Sequence, residues 1–423
     1  MEKGLIIGYD LCKDYCRISY YRKGEEEPAD LKFSDEDNPY LIQNSVCKKK
    51  GTDEWLVGQE AYETALFGSG YIVNKLLNLV GKKGFSTFDG VKYSAEDLLY
   101  RFLKETLRKL FEEAGSSKIE KIVFSVQELD ATVLDAIVSS MKRLGVDRKS
   151  VHIISHTESY LYFVLSRSRD LWSNLAVLYD FSGDGLNYYE MELLRGIQPN
   201  VASAKREFLE EGVSIDILSS SAGKRMADSI MTSTVERMLA KKLVSACFLS
   251  GNGMDSVQIW GENFLNVLCR RRRVFFIENL FAKGAVYAAL DKLNVSVPVP
   301  FRIMCEGRIK VDITVDVQKG LNPTTLTLAR IGENWYETRS VFDIIPDQEQ
   351  SLKLKVKKVG ERSPVTIEVP FEALNRRGNK LTRIRVSLAF TQDNVFTVSM
   401  TDRGFGEIFK ATEAEVHRTF TVE

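Results

Sequence analysis

The sequence predicts a mixed α/β protein that begins with two lobes facing each other across a cleft and ends in an antiparallel β-sandwich. Three observations predict this class. A strand–turn–strand phrase occurs twice, strands and helices alternate as far as residue 296, and apolar residues recur at every second position after residue 301. We therefore expect lobe I at about 1–172, lobe II at about 173–296 and the sandwich at 301–423.

The repeated phrase is an apolar strand that runs into Tyr-Asp, turns tightly and returns as a second strand rich in tyrosine. It reads Ile-Ile-Gly-Tyr-Asp-Leu-Cys-Lys-Asp at 6–14 and Ala-Val-Leu-Tyr-Asp-Phe-Ser-Gly-Asp at 176–184. Such a turn places a carboxylate beside backbone N–H groups, which suit a metal ion and phosphate oxygens respectively. Asp10 and Asp180 are the candidate carboxylates; the alternative is that they only cap their turns.

The α/β part is predicted from regular alternation. Residues 93–114 carry an apolar face with helical spacing, Ser94 is a candidate N-cap, and Gly115 ends the helix. Strands at 119–126 and 151–155 alternate with helices at 131–144 and 158–166, which is typical of a parallel sheet. A third turn, at 250–253, follows another apolar strand, and its glycines would allow flat contact with a nucleoside.

The sandwich is predicted from strict alternation. Ile309, Val311, Ile313, Val315 and Val317 fall on one face of a strand, and segments near 352–357, 383–388 and 396–400 repeat the pattern. Period two over several strands indicates antiparallel sheets with one solvated face. Two prolines at 298 and 300 interrupt the chain where the period changes.

Composition excludes several classes of protein. The 58 basic and 58 acidic residues give no net charge, which disfavours nucleic acid as the main partner. No apolar stretch is long enough to span a membrane, and the N-terminus lacks a signal peptide, so a cytoplasmic protein is expected. The six cysteines are scattered, as in reduced proteins, and Cys12 and Cys16 lack partners at zinc-site spacing.

Together these motifs resemble the DnaK-type heat-shock chaperones within the actin–hexokinase–DnaK ATPase superfamily. The two hairpins resemble the phosphate loops of that family, residues 153–162 its connecting helix, 248–253 its adenosine loop and 278–290 its final helix. Residues 74–81 resemble the segment that carries its catalytic lysine, which matches Lys75. Residues 382–407 resemble the last strands of its substrate-binding sandwich.

The resemblance implies an ATP or ADP site with magnesium, and a protein or extended-peptide partner on the sandwich. Lys75 and Asp180 would be catalytic, and Asp10 and Asp180 would hold the magnesium. The implied nucleotide-binding residues are Asp10, Leu11, Cys12, Lys13, Ser182, Gly183, Asp184, Gly185, Ser250, Gly251, Asn252 and Gly253.

Three departures from the family pattern matter, and the two in the phosphate loops weaken the case for catalysis. Cys12 and Lys13 replace Gly-Thr in the first loop, and residues 182–185 replace Gly-Gly-Gly-Thr in the second. Lys13 either grips phosphate or fills an emptied site, and Asp184 either repels a polyphosphate or helps hold a metal. No helical lid of the family type is expected after the sandwich, which runs to Glu423. His156 and Glu158 are expected to cap or pack at the start of the connecting helix.

The predicted function is a divergent, DnaK-like protein that binds adenine nucleotide weakly or without efficient hydrolysis and binds a peptide or protein through its sandwich. Two alternatives stay open. One is an active ATPase with an altered phosphate loop, and the other is a scaffold module that binds no nucleotide.

Overall fold

The computed structural model describes residues 4–34, 38–183, 185–194, 200–209, 213–270, 272–295, 301–347, 349–371, 374, 377 and 380–422. The chain divides into two compact units. Unit 1 comprises Met1–Leu194 and Ala202–Pro300, and unit 2 comprises Arg195–Val201 and Phe301–Glu423. None of the helices in these described ranges is both long and apolar enough to cross a membrane.

The α/β part of the chain contains strands and helices in alternation. The strands are β1 (Leu5–Leu11), β2 (Tyr15–Tyr21), β3 (Ala29–Asp30), β4 (Ile42–Gln43), β5 (Val46–Lys49), β6 (Trp55–Val57), β7 (Gly70–Val73), β8 (Phe85–Phe88), β9 (Val91–Ser94), β10 (Ile119–Val126), β11 (Val151–Ser155), β12 (Leu175–Ser182), β13 (Gly185–Leu194), β14 (Val201–Phe208), β15 (Val244–Ser250) and β16 (Arg273–Phe276). The helices are α1 (Gln59–Leu66), α2 (Leu76–Gly81), α3 (Ala95–Ala114), α4 (Ala131–Arg143), α5 (His156–Leu165), α6 (Ser221–Met238), α7 (Val257–Trp260), α8 (Glu262–Leu268) and α9 (Leu280–Lys292).

Helix α3 forms where its apolar face and caps predict it. The Ser94 side chain accepts a hydrogen bond from the Asp97 backbone N–H at 3.1 Å, which satisfies one of the unpaired donors of the first turn. Gly115 ends the helix with φ 66°, a left-handed conformation that glycine adopts without steric cost. The predicted N-cap and the predicted end at Gly115 are confirmed, whereas the helix begins at Ala95 and not at residue 93, which belongs to β9.

Two sheets of unit 1 repeat one strand order. The first runs β11-β10-β1-β2-β3, and the second contains β16-β15-β12-β13-β14. In each, a central hairpin is antiparallel (β1 with β2, β12 with β13) and its first strand pairs in parallel on the other side (β1 with β10, β12 with β15). Asp10 lies opposite Arg17 in the first hairpin, and Asp180 lies opposite Asn187 at the equivalent position of the second hairpin.

Close packing against α9 positions the first hairpin. A Cβ added at Gly8 of β1 would lie 2.0 Å from the Ala282 carbonyl oxygen, so only glycine permits this approach. Further along α9, a Cβ at Gly284 would lie 2.1 Å from the Ser159 carbonyl oxygen of α5. The strand that carries Asp10 is therefore tied to the two helices that follow β11 and β16.

Unit 2 consists mainly of antiparallel sheets, as the two-residue period predicts. The strands from residue 301 onward are β17 (Arg302–Met304), β18 (Val311–Lys319), β19 (Asn322–Ala329), β20 (Arg339–Ile344), β21 (Ser351–Lys358), β22 (Val365–Pro370), β23 (Ile384–Gln392), β24 (Val395–Asp402) and β25 (Glu415–Thr421). They form the orders β19-β18-β21-β22 and β20-β23-β24-β25. One apolar core, which includes Ile313, Val315, Leu354, Val386 and Val398, joins residues of both sheets.

Candidate functional site

Three buried side chains meet at the end of strand β1. Asp10 Oδ1 lies 2.7 Å from His156 Nε2 and 3.5 Å from Cys12 Sγ. Cys12 Sγ lies 3.8 Å from the same His156 nitrogen. The structure thus gathers a carboxylate, a thiol and an imidazole around one point, although 144 positions separate Cys12 from His156 in the chain.

The fold orients His156 from two sides. His156 is the first residue of α5, where the Ser155 side chain accepts the Glu158 backbone N–H at 3.1 Å. The imidazole stacks on the Phe281 ring of α9, with centroids 4.0 Å apart and planes 9° apart. The expectation that His156 only caps or packs was incomplete, because its ring reaches Asp10 and Cys12. Only the parallel order of β1, β10 and β11 reveals this contact, since it places the ends of β1 and β11 at one edge.

This cluster is not a nucleophilic triad. In such a triad the carboxylate holds one imidazole nitrogen and the nucleophile meets the other. Here Asp10 and Cys12 both approach Nε2, so the ring cannot relay a proton between them. His156 Nδ1 is buried and has no hydrogen-bond partner among the described residues.

Arg17 is a site residue that sequence reasoning missed. It lies on β2 opposite Asp10, and only 3% of its surface is exposed. Nη1 donates to the Glu278 carbonyl oxygen, whereas Nε and Nη2 have no hydrogen-bond partner among the described residues. A buried guanidinium that is incompletely paired is costly. Its position could have been suspected only from a charge within an otherwise apolar strand.

The other residues at the first turn differ in their burial and charge surroundings. Leu11 is buried, and the Lys13 ammonium forms an exposed ion pair with Glu128 at 3.1 Å. Tyr15, the first residue of β2, lies close enough to Asp10 of its own hairpin and to Asp180 of the second hairpin to interact electrostatically with both. Burial, with the nearby Cys12 and Asp180, raises the pKa of the Tyr15 phenol well above its usual value.

The second hairpin also buries its carboxylate. Asp180 and Ser182 are buried, and both side-chain atoms of the buried Asn187 amide have no partner among the described residues. A Cβ at Gly183 would lie 3.4 Å from Asp14 Oδ2, so the tips of the two hairpins are neighbours. The predicted site residue Asp184 lies outside the described residues.

The third turn packs against the second hairpin. Ser250 pairs with Asp180 in the parallel ladder, and Gly185 adopts φ 103° at the start of β13. A Cβ at Gly251 would lie 2.2 Å from the Phe181 carbonyl oxygen, and one at Gly253 would lie 2.4 Å from the Phe181 ring. These two glycines therefore serve close packing on Phe181. The Oδ1 atom of Asn252 is buried and has no hydrogen-bond partner among the described residues.

No contact among the described residues places Lys75 beside these groups. It is exposed and adopts φ 54° just before α2. No ion pair of Lys75 occurs within the described ranges of the chain. Its predicted catalytic role therefore gains no support from the geometry.

Magnesium suits one hairpin better than the other. Mg²⁺ takes oxygen ligands, and Asp180, Ser250 and Asn187 offer oxygens near the second hairpin, where the Asn187 side chain has no hydrogen-bond partner among the described residues. At the first hairpin, Asp10 is engaged by an imidazole and a thiol, which are not magnesium ligands.

Unit 2 has a basic depression on one sheet. A cavity of about 290 Å³ is lined by Arg302, Asp312, Thr314, Thr327, Arg330, Lys357 and Pro364. Three cations against one carboxylate make this surface positive. Asp312 is engaged, because its Oδ1 accepts the Ile331 backbone N–H at 2.9 Å.

Comparison with known families covers almost the whole chain. Residues 27–306 match the family described as family of unknown function DUF5716, C-terminal. The chain belongs to the DUF5716 family. Residues 308–422 match the domain of unknown function DUF8552. No curated protein matches the chain.

In this DUF5716 member, the matched residues include His156, Asp180 and the third turn, whereas Asp10, Cys12 and Arg17 precede them. Neither description names an activity. The resemblance to DnaK-type chaperones stays a prediction.

Proposed function

We propose that unit 1 is a two-lobed nucleotide-binding domain of the actin–DnaK type that binds adenine nucleotide without efficient hydrolysis, and that unit 2 binds an acidic, extended segment of a protein partner. The observation that carries the first part is the repeated strand order, which puts Asp10 and Asp180 at equivalent positions of two hairpins. Fold alone does not establish function, so the side chains around both carboxylates carry the rest.

Buried polar groups beside both carboxylates favour an anionic, polar ligand. Residues directly opposite each other in an antiparallel pair present their side chains on the same face. Arg17 accordingly shares a face with Asp10, and Asn187 shares one with Asp180. Both retain buried hydrogen-bonding atoms without partners among the described residues. A phosphate group would satisfy the guanidinium, and bound magnesium would neutralise phosphate charge beside Asp180.

The same geometry disfavours rapid hydrolysis. Phosphoryl transfer relies on cations and a positioned water around the transferred group. Asp10 is hydrogen-bonded to His156 instead, Lys13 pairs with Glu128, and Lys75 is exposed elsewhere. This domain therefore holds nucleotide as a ligand and does not turn it over efficiently.

Nucleotide binding is expected to depend on Asp180 and Arg17. Calorimetric titration of the full chain with ATP or ADP and magnesium should show affinity in the micromolar range. Asp180→Asn and Arg17→Met should each weaken it by about tenfold or more, because each removes a charged contact worth roughly 1.5–3 kcal/mol.

Arg22→Met is the matched control, since Arg22 follows the same strand and pairs with Glu25 at the surface. Its affinity should stay near that of the wild type. If the titration shows no heat of binding up to millimolar nucleotide, nucleotide binding is excluded and the scaffold module is the alternative that remains. Rapid phosphate release in a steady-state assay would support the active ATPase instead.

The six cysteines, all within the described residues, form no disulfide, which supports a reducing, cytoplasmic location as part of the proposal.

The basic depression of unit 2 is expected to select acidic peptides. Its floor is the face of a β-sheet whose alternate side chains point outward, so a peptide lying across it would be held by ion pairs and side-chain pockets and not by backbone pairing, which requires a sheet edge. A panel of extended peptides, with and without Glu and Asp, should show binding of the full chain to acidic members only. Arg330→Glu or Lys357→Glu should weaken binding by about tenfold through lost charge-assisted hydrogen bonds.

Lys353→Glu is the control for the peptide experiment, because Lys353 lies on the same strand as Lys357 but outside the cavity. Equal loss in all three variants would indicate a non-specific effect of charge. Binding that ignores peptide charge would remove the acidic partner from the proposal.

A further inference from the structure

We propose that Asp10, Cys12 and His156 form a zinc site at the mouth of the first hairpin. This inference does not depend on nucleotide binding. It rests on three buried donor atoms of three different chemical types that converge on one point.

The separations of the donor atoms fit one ion. The three atoms lie 2.7, 3.5 and 3.8 Å apart. The circle through atoms with these separations has a radius of about 2.0 Å, and zinc bonds to nitrogen, oxygen and sulfur measure about 2.0–2.3 Å. An ion slightly above the plane of the three atoms therefore reaches all of them without a change in the backbone.

The donor chemistry selects zinc over magnesium and calcium. A thiolate, an imidazole and a carboxylate are all common zinc ligands, whereas the harder cations take oxygen only. Three protein ligands leave one position of a tetrahedral ion open, as in zinc sites that bind water or a small ligand.

The proton balance of binding is simple. Zinc takes the Asp10 carboxylate as it stands, and the Cys12 thiol loses its proton to solvent when the sulfur–zinc bond forms. If His156 carries its proton on Nε2, that proton moves to Nδ1 as the nitrogen–zinc bond forms. Nδ1 is unprotonated in that tautomer, and the proton it gains by exchange with solvent replaces no hydrogen bond among the described residues. No oxidant or reductant is needed.

The surrounding fold holds the ligands in place. The Asn44 side-chain amide donates to the Cys12 carbonyl oxygen, and the Cys12 N–H donates to the Tyr15 carbonyl oxygen at 2.9 Å. The stacked Phe281 ring limits rotation of the imidazole. Zinc would therefore link the first hairpin to the start of α5 through bonds that replace the Asp10–His156 hydrogen bond.

Cobalt(II) is the probe for this site, because it occupies zinc sites and reports thiolate ligation by absorbance. The full chain, freed of metal with a chelator, is titrated with Co²⁺ in the absence of nucleotide and then with Zn²⁺. We expect a thiolate-to-cobalt charge-transfer band and the visible bands of a tetrahedral ion at one equivalent, both lost on addition of zinc. Cys12→Ser and His156→Gln should each lower metal affinity by more than about 100-fold, beyond the loss seen for outer-shell partners.

Two variants control for adventitious binding. Cys269→Ser removes an exposed thiol, and His152→Gln removes another histidine of unit 1. Both should bind Co²⁺ as the wild type does. A charge-transfer band that survives Cys12→Ser, or disappears in Cys269→Ser, would overturn the proposal, as would the absence of any band in the wild type.

A measurement on the wild type keeps the test valid if a variant fails to fold. Because Cys12 is buried, the comparison is made at reaction times long enough for the metal-free protein to be alkylated at Cys12 by iodoacetamide, read by mass spectrometry of the Cys12 peptide. Zinc should slow this alkylation and leave the labelling of Cys269 unchanged. Equal labelling of Cys12 with and without zinc would contradict the site.

Discussion

Asp402→Asn is expected to destabilise unit 2 by about 3–5 kcal/mol, because it leaves a largely buried arginine without its counter-charge. Asp402 is buried and accepts hydrogen bonds from Arg377 Nη1 at 2.9 Å and Nη2 at 2.6 Å. It also accepts the backbone N–H groups of Gly404 at 2.9 Å and Thr412 at 3.1 Å. Urea unfolding of the full chain, followed by hydrogen exchange in peptides from 301–422, measures the loss.

A second Asp–Arg pair in the same sheet provides the control. Asp343 also binds its arginine through two contacts, to Arg385 Nε at 2.8 Å and Nη2 at 3.2 Å, but this pair is largely exposed. Exposed pairs contribute about 0–1 kcal/mol. Asp343→Asn should therefore cost less than about 1 kcal/mol, and equal costs for the two variants would contradict the argument from burial.

The pH dependence of the same pair has a definite sign. The Arg377 guanidinium, with the donors from Gly404 and Thr412, holds the pKa of Asp402 well below its usual range. Its stabilisation is therefore present above the unfolded-state pKa of about 3.9 and is lost as pH falls toward the folded-state pKa. The stability difference between wild type and Asp402→Asn should shrink below about pH 4. A difference that grows on acidification would contradict this assignment.

Gly8→Ala is expected to destabilise unit 1 by about 3 kcal/mol or more, since the new Cβ meets backbone atoms that cannot move aside cheaply. It would lie 2.0 Å from the Ala282 carbonyl oxygen and 2.8 Å from the Val286 nitrogen of α9. Gly8 is two residues before Asp10 on the same strand. The variant should therefore also displace Asp10 from His156 and weaken Co²⁺ binding, both measurable on the full chain.

Gly81→Ala is the matched control within unit 1. Gly81 is the last residue of α2, and a Cβ there would meet nothing within 4 Å. Alanine favours helix over glycine by roughly 0.5–1 kcal/mol. The free energy of unfolding should thus stay the same or rise slightly. If both variants behaved alike, close approach of α9 would not be the reason for glycine at position 8.

Local signals in the sequence predict much of this fold. The caps of α3, the bounds of β10 at 119–126 and the alternating strands of unit 2 follow from neighbouring residues. Such features depend on side-chain spacing and turn chemistry within a few positions. The two Tyr-Asp hairpins belong to the same class, and both form as antiparallel pairs.

The candidate site is less predictable. Asp10, Cys12 and Asp180 are proposed from their turns, but Cys12 was expected to replace a loop glycine, not to contact an imidazole. The glycines of the third turn are explained by packing on Phe181, which no local pattern indicates. In the sequence, Arg17 is not distinguished from the other residues of its strand. Only the structure shows that it is buried and donates to the Glu278 carbonyl oxygen.

By itself the sequence determined the local elements, the change from α/β alternation to paired strands near residue 301, and the two carboxylates at hairpin mouths. Tertiary structure alone decided that Asp10, Cys12 and His156 meet and that Arg17 is buried beside them. The physical reason is that these contacts join residues far apart in the chain. They depend on the order of β1, β10 and β11 and on the approach of α9 to Gly8, neither of which leaves a periodic trace in the sequence.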